Sequence, residues 1–269
     1  GGGGSSTSVE SSSNNNSNNN SNSLSETCEQ QQTNFQRCDF KHKELDRYYL
    51  IQPPHLEAEG QSSVIFNLHG YGSNAFAQME YTGLNNYTNT KENNFILIHP
   101  QGAPLNTPLT SSSSHWNSGA WTIGSTVDDV DFIDTIIKLI SQKYNINMNR
   151  IYATGMSNGG FMSYHLACNL SSKIAAVASV TGSMSKQTFE SCNPEHPTAV
   201  LQIHGTIDGT VPYDGNSTIG MEPVEKVMTL WQEYNSCSAD PLISVTDFFE
   251  KGSSVEHWQY INCLNSIQV

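Results

Sequence analysis

Six short runs of apolar and β-branched residues, separated by stretches of helical period, constrain the fold of this chain more than any other feature. They are RYYLI (47–51), SVIFNLH (63–69), NFILIHP (94–100), RIYATG (150–155), AAVASVTG (175–182) and TAVLQIHG (198–205). Most are near-continuous rather than alternating, the pattern of strands covered on both faces in a parallel sheet. Between them, VDDVDFIDTIIKLISQKY sets Val130, Ile133, Ile136, Ile137 and Ile140 on one stripe, with Thr126 and Asp129 spaced as a capping box. SNGGFMSYHLACNL and EPVEKVMTLWQEYN read as further helices, the second with Pro223 in its first turn. Strands alternating with helices predict an α/β fold with a mostly parallel central sheet flanked by helices.

The 269 residues suit one full-sized domain once the leading segment is set aside. Residues 1–26 are nearly all Gly, Ser and Asn, too polar to repay the entropy of ordering, and are expected to be a disordered tether ahead of a domain spanning 27–269. The first residue is glycine, which leads us to expect that a signal peptide has been removed. A Gly/Ser run also suits the segment behind a lipidated N-terminal cysteine, although no such cysteine is present, so a surface-anchored lipoprotein is the variant of the same extracellular reading. A net charge of −13 argues against nucleic acid and anionic membrane surfaces as partners. No apolar run approaches the roughly 20 residues of a membrane span.

Six cysteines fall in sequence as three neighbouring couples with no C-x-x-C pair, and no Cys/His cluster has zinc-finger spacing. Short loops favour Cys28–Cys38, Cys168–Cys192 and Cys237–Cys263 as disulfides, which places the chain in an oxidising compartment. No metal or organic cofactor is implied.

Gly155-Met156-Ser157-Asn158-Gly159 fits G-x-S-x-G, a strand-to-helix elbow that lifts a serine hydroxyl out of a sheet, and its flanks read as strand and helix. Ser157 is therefore the candidate nucleophile. One donor for the oxyanion is the amide after the serine, that of Asn158. The other comes from the loop after an earlier strand, where His69-Gly70-Tyr71-Gly72 offers the Tyr71 amide. His69, which precedes the serine, is read as a brace for this loop. An acid is expected after the serine, and Asp208 in TAVLQIHGTIDGTVPY lies just past a strand, with Asp214 as its competitor further out. The polar segment 104–126 carries Trp116 and Trp121, which either anchor a loop or touch a ligand.

LHGYGSNA, VDDVDFI, GMSNGGFMSYHLAC and HGTIDGTVPY, in this order and spacing, resemble the secreted esterase family of polyhydroxybutyrate depolymerases and feruloyl or acetylxylan esterases. The likeness spans about residues 45–265. It implies an α/β-hydrolase fold, Ser157 as nucleophile, Asp208 as triad acid and the Tyr71 and Asn158 amides as oxyanion hole. It further implies a triad histidine in a Gly-Gly-His-x-Trp-Pro motif after a last strand that NSIQV would open. On that reading the chain is truncated and its base lies beyond Val269. His257, in VEHWQYINC, is expected on a strand face rather than at the serine.

The resemblance thus implies an extracellular serine carboxylesterase acting on a polymeric ester: feruloyl or acetyl esters of xylan, or polyhydroxybutyrate. A non-catalytic protein of similar fold that binds polysaccharide or polyester, and a serine peptidase, are the alternatives.

Overall fold

A computed structural model describes residues 24–32, 34–105, 113–248, 252–266 and 269. Most of the expected tether, residues 1–23, and residues 106–112 of the Trp116–Trp121 segment lie outside that set. The strands are β1 (Thr27–Gln32), β2 (Phe35–His42), β3 (Leu45–Gln52), β4 (Ser62–Leu68), β5 (Asn89–Thr90), β6 (Asn93–Pro100), β7 (Ala103–Pro104), β8 (Ser114–His115), β9 (Ile146–Met156), β10 (Ile174–Val180), β11 (Ala199–Ile203), β12 (Leu242–Phe248) and β13 (Ser253–Gln259). The α-helices are α1 (Ala75–Thr82), α2 (Asn85–Thr88), α3 (Asp129–Ser141), α4 (Asn158–Asn169), α5 (Lys186–Ser191) and α6 (Val224–Tyr234).

The main sheet runs β1-β2-β3-β6-β4-β9-β10-β11, with β5 paired to β6. From β6 to β11 every step is parallel, and β1 to β3 add an antiparallel flank, so RYYLI on β3 pairs antiparallel with β6. The faces divide by residue parity. Tyr49, Ile51, Val64, Phe66, Leu68, Ile96 and Ile98 join the large core with the α3 stripe Phe132, Ile133, Ile136, Ile137 and Ile140. Leu50, on the opposite face of β3, packs instead with Ala75 and Met79 of α1. Covering both faces is what near-continuous apolar strands require.

Three expectations need correction. Thr126 does not cap α3; Asp128 is the N-cap and its Oδ1 accepts from Asp131 N at 3.0 Å, because Asp129 is drawn into the interior instead. Pro223 caps α6 from just outside its first turn. TAVLQIHG does not give a strand buried on both faces: among the described residues β11 is the last strand of the sheet, and Leu201 and Ile203 are 50% and 52% exposed. Of NSIQV, read as the opening of a last strand, residues 267–268 lie outside the described residues; Leu264–Ser266 ahead of them is a 3-10 segment with Asn265 left-handed (φ 56°), and Val269 O accepts from Tyr260 N at 2.9 Å.

The three expected disulfides, Cys28–Cys38, Cys168–Cys192 and Cys237–Cys263, are all formed. Cys28 and Cys38 face each other in the β1–β2 register. Among the described residues no helix is long and apolar enough to cross a membrane.

Candidate active site

Strand β9 ends at Met156 and α4 begins at Asn158, leaving Ser157 alone in the turn with φ 54° and ψ −118°. A side-chain-bearing residue held there costs about 1–3 kcal/mol and persists only where its surroundings fix it. They do so from both sides. Ser157 N donates to Val180 O on β10 at 2.8 Å, and Ser157 O accepts from Phe161 N at 3.0 Å. Two flanking glycines permit the tight crossing. A Cβ on Gly155 would lie 2.5 Å from the Gly159 carbonyl, and one on Gly159 would lie 2.7 Å from His69 O and still closer to Leu68 O. The loop after β4 therefore presses on the elbow, with Gly70 so near that a Cβ there would sit 3.6 Å from Ser157 Cβ. Tyr71 follows directly. Its amide and that of Asn158 donate to no main-chain acceptor among the described residues.

Behind this contact lies a buried polar network. His69 is fully buried: its Nδ1 donates to Gly70 O at 2.8 Å and its Nε2 accepts from Gly102 N at 2.9 Å. Burial pulls its pKa down to about 4, so the ring is neutral at pH 7 and its acceptor nitrogen is already taken. It braces the loop, as expected from its place in the chain. Trp116, also fully buried, donates from Nε1 to His69 O at 2.8 Å. The Asn158 side chain clasps the same segment, accepting from Trp116 N at 2.7 Å and donating to Trp116 O and Ser118 Oγ, both at 3.1 Å. One residue on, Asn117 N donates to Asp129 Oδ2 at 2.8 Å.

Asp129 ends the network with a charge. Its side chain is wholly buried and its Oδ1 meets Arg47 Nη2 at 2.8 Å. Arg47 also donates to Gln101 O at 3.0 Å and lays its guanidinium 3.6 Å above the Phe132 ring centroid. Burial draws the Arg47 pKa down and Asp129 opposes it. Neither the Arg47–Asp129 pair nor the Asn158 clasp was read from the sequence. The available signal was VDDVDFI itself, which places two aspartates where one N-cap suffices.

Asp208 lies in the loop after β11, with Oδ1 accepting from Thr210 N at 2.8 Å and Val211 N at 3.0 Å. Those amides, Val211 first, hold its pKa below the usual carboxylate value. Its Oδ2 is 3.8 Å from His204 Nε2, but that nitrogen donates to Val211 O at 2.7 Å. The loop is brought to the serine through packing: Val211 shares an apolar cluster with Phe161, Ala120 and Met221. Asp214 is exposed further along. His257 stands exposed on β13, opposite Ser244 in a two-stranded hairpin separate from the main sheet. All nine histidines are among the described residues, and none hydrogen-bonds to Ser157 Oγ.

The two tryptophans of the 104–126 segment divide the alternatives between them. Trp116 is a buried anchor. Trp121 is partly exposed and meets Phe161 and Tyr71 edge-on at 5.2 and 6.4 Å between centroids. Among the described residues one group has metal-ligand proximity, Glu26, Cys28 and Cys38, and its two sulfurs are joined in a disulfide.

The profile of the phospholipase/carboxylesterase family matches residues 50–235. Feruloyl esterase B of Piromyces equi is 28% identical over 200 residues, which are 60% of this chain and 36% of that protein. A probable feruloyl esterase C of Aspergillus oryzae is 31% identical over 183 residues, 66% of this chain and 61% of that one. The chain thus spans less than two thirds of these curated relatives. The solved acetyl xylan esterase from Aspergillus awamori superposes with a TM-score of 0.55 at 14% identity, covering 82% of this chain and 85% of that one. At that identity the likeness is one of fold, and the fold is the α/β-hydrolase.

Proposed function

The chain belongs to the phospholipase/carboxylesterase family, and from that premise we propose that it is a serine carboxylesterase acting outside the cell on a polymer-borne feruloyl or acetyl ester. The observation that carries the reading is the strained Ser157 elbow with Gly70 pressed against it. Feruloyl esterases among the relatives supply the substrate class. Three disulfides support the oxidising compartment.

In the proposed reaction Ser157 Oγ attacks the ester carbonyl and gives up its proton to an imidazole. The carbonyl oxygen becomes an oxyanion held by the Tyr71 and Asn158 amides, which have no main-chain acceptor among the described residues. Collapse expels the alcohol, which takes the proton, and water then releases the acid by the same steps in reverse order of partners. Asp208 keeps Oδ1 on its own turn and offers Oδ2 to orient the imidazole. His69, His204 and His257 are not that base: the first two have their ring nitrogens engaged, and the third stands on a separate hairpin.

With no histidine bonded to Ser157 among the described residues, residues 1–269 by themselves should transfer this proton slowly. Hydrolysis of an activated aryl ester should be weak, rise with added imidazole, and vanish in Ser157→Ala. Hydrolysis that Ser157→Ala leaves unchanged would overturn the nucleophile. The second reading is a non-catalytic binder of plant polysaccharide or polyester. That reading gains if added imidazole produces no Ser157-dependent turnover.

A further inference from the structure

Acyl transfer needs a nucleophile, donors and a base; it does not need the aromatic wall that stands beside Ser157. Phe161 belongs to the first turn of α4, its N–H donated to Ser157 O. Its ring meets Trp121, and Trp121 meets Tyr71, the residue after Gly70. Tyr71 is 36% exposed, and Trp121 is partly exposed although Ala120, Val211 and Met221 of the same cluster are buried. Val211 is the residue whose amide Asp208 holds. The wall therefore runs from the serine to the acid.

Trp121 is also fixed in place. Gly119, at φ 83°, lies where a Cβ would meet Ser185 Cβ at 2.7 Å. Its carbonyl accepts from Thr122 N at 3.1 Å and Thr122 Oγ1 at 2.6 Å, and Ile123 N donates to Ala120 O at 3.1 Å. The indole is thus presented on a pinned turn. Anchoring of the segment is already served by Trp116, whereas no described residue accepts from Trp121 Nε1.

We propose that Trp121, with Tyr71, forms the acyl subsite of this site and selects a planar aromatic acyl group of hydroxycinnamoyl type over acetyl. The inference rests on the esterase reading above. Aromatic rings pair favourably edge-on or offset at centroid distances like those already present in the wall. A conjugated acyl group is flat and rigid, so it loses little freedom on docking, while an acetyl group has no ring to pair with the indole.

Two measurements separate this proposal from the reading beneath it. In a Ser157→Ala background, which holds the ester uncleaved, methyl ferulate is titrated by calorimetry or NMR; Trp121→Ala should weaken binding about tenfold and Trp121→Phe by less. In the Ser157 chain with imidazole, Trp121→Ala should lower kcat/KM for 4-nitrophenyl ferulate about tenfold more than for 4-nitrophenyl acetate, with near-UV circular dichroism reporting a retained fold. Absent binding, Trp121-independent binding, or an equal fall for both esters overturns the subsite. Trp121-dependent binding without turnover of either ester upholds the subsite and sinks the esterase reading instead.

Discussion

Around Ser157 the chain draws charge into its interior: the Arg47–Asp129 pair is 3% and 0% exposed, and the fully buried His69, Trp116 and Asn158 are all hydrogen-bonded. Around Asp208 the chain does the opposite, hanging the carboxylate on a loop whose neighbours Ile207, Gly209 and Thr210 are exposed and tying it only to two local amides. The difference teaches that the half of the candidate site around Ser157 is held by the fold, while the half around Asp208 is held by its own turn. Damage to the first should register as lost stability, and damage to the second as lost activity alone.

The largest effect should come from Asp129→Ala. It leaves the Arg47 guanidinium buried without its counter-charge and frees Asn117 N, and breaking such a pair costs roughly 3–5 kcal/mol. Urea denaturation should show it, and a loss below about 1 kcal/mol would mean the network does not hold the elbow.

An effect of comparable size is expected from acid. His69 is depressed to about 4 and His99, buried on β6 with neither ring nitrogen partnered among the described residues, to about 3, each through burial. The unfolded chain takes up these protons near the ordinary histidine pKa of about 6.5 and the folded chain does not. Stability from these groups is therefore complete above pH 6.5 or so, falls as pH drops below it, and levels off near the folded values. Urea midpoints at pH 7, 5.5 and 4.5 should descend in that order, and His99→Leu should flatten the slope. A flat profile in the unmodified chain contradicts the buried neutral imidazoles.

Smallest should be the stability change in Asp208→Asn, within about 1 kcal/mol, because the side chain is only partly buried and an amide oxygen can still accept from Thr210 and Val211. Imidazole-assisted hydrolysis should fall in this variant and not in Asp214→Asn. The reverse pattern would move the acid role to Asp214.

What could be read from the chain beforehand follows the same division. The six apolar runs lie within β3, β4, β6, β9, β10 and β11 or overrun them by a residue or two, since strand character is local. The elbow was legible because close approach demands glycine at fixed offsets from Ser157. The disulfides were legible because each couple is adjacent in sequence. The exposed face of β11 was not, because which strand ends a sheet depends on pairings made elsewhere. Nor was the Arg47–Asp129 pair, whose members stand 82 residues apart and look in sequence like ordinary surface charges. Trp116 and Trp121 carry the same letter, and only the fold assigns one to the interior and the other to a partly exposed place beside Phe161 and Tyr71.

The central claim is that the fold prepares Ser157 to react. A fluorophosphonate reagent applied with imidazole, followed by peptide mapping, tests it most directly. The account predicts a single adduct on the peptide containing Ser157, absent in Ser157→Ala and lost when Asp129→Ala loosens the brace. An adduct on another serine, or undiminished labelling in Ser157→Ala, would contradict it.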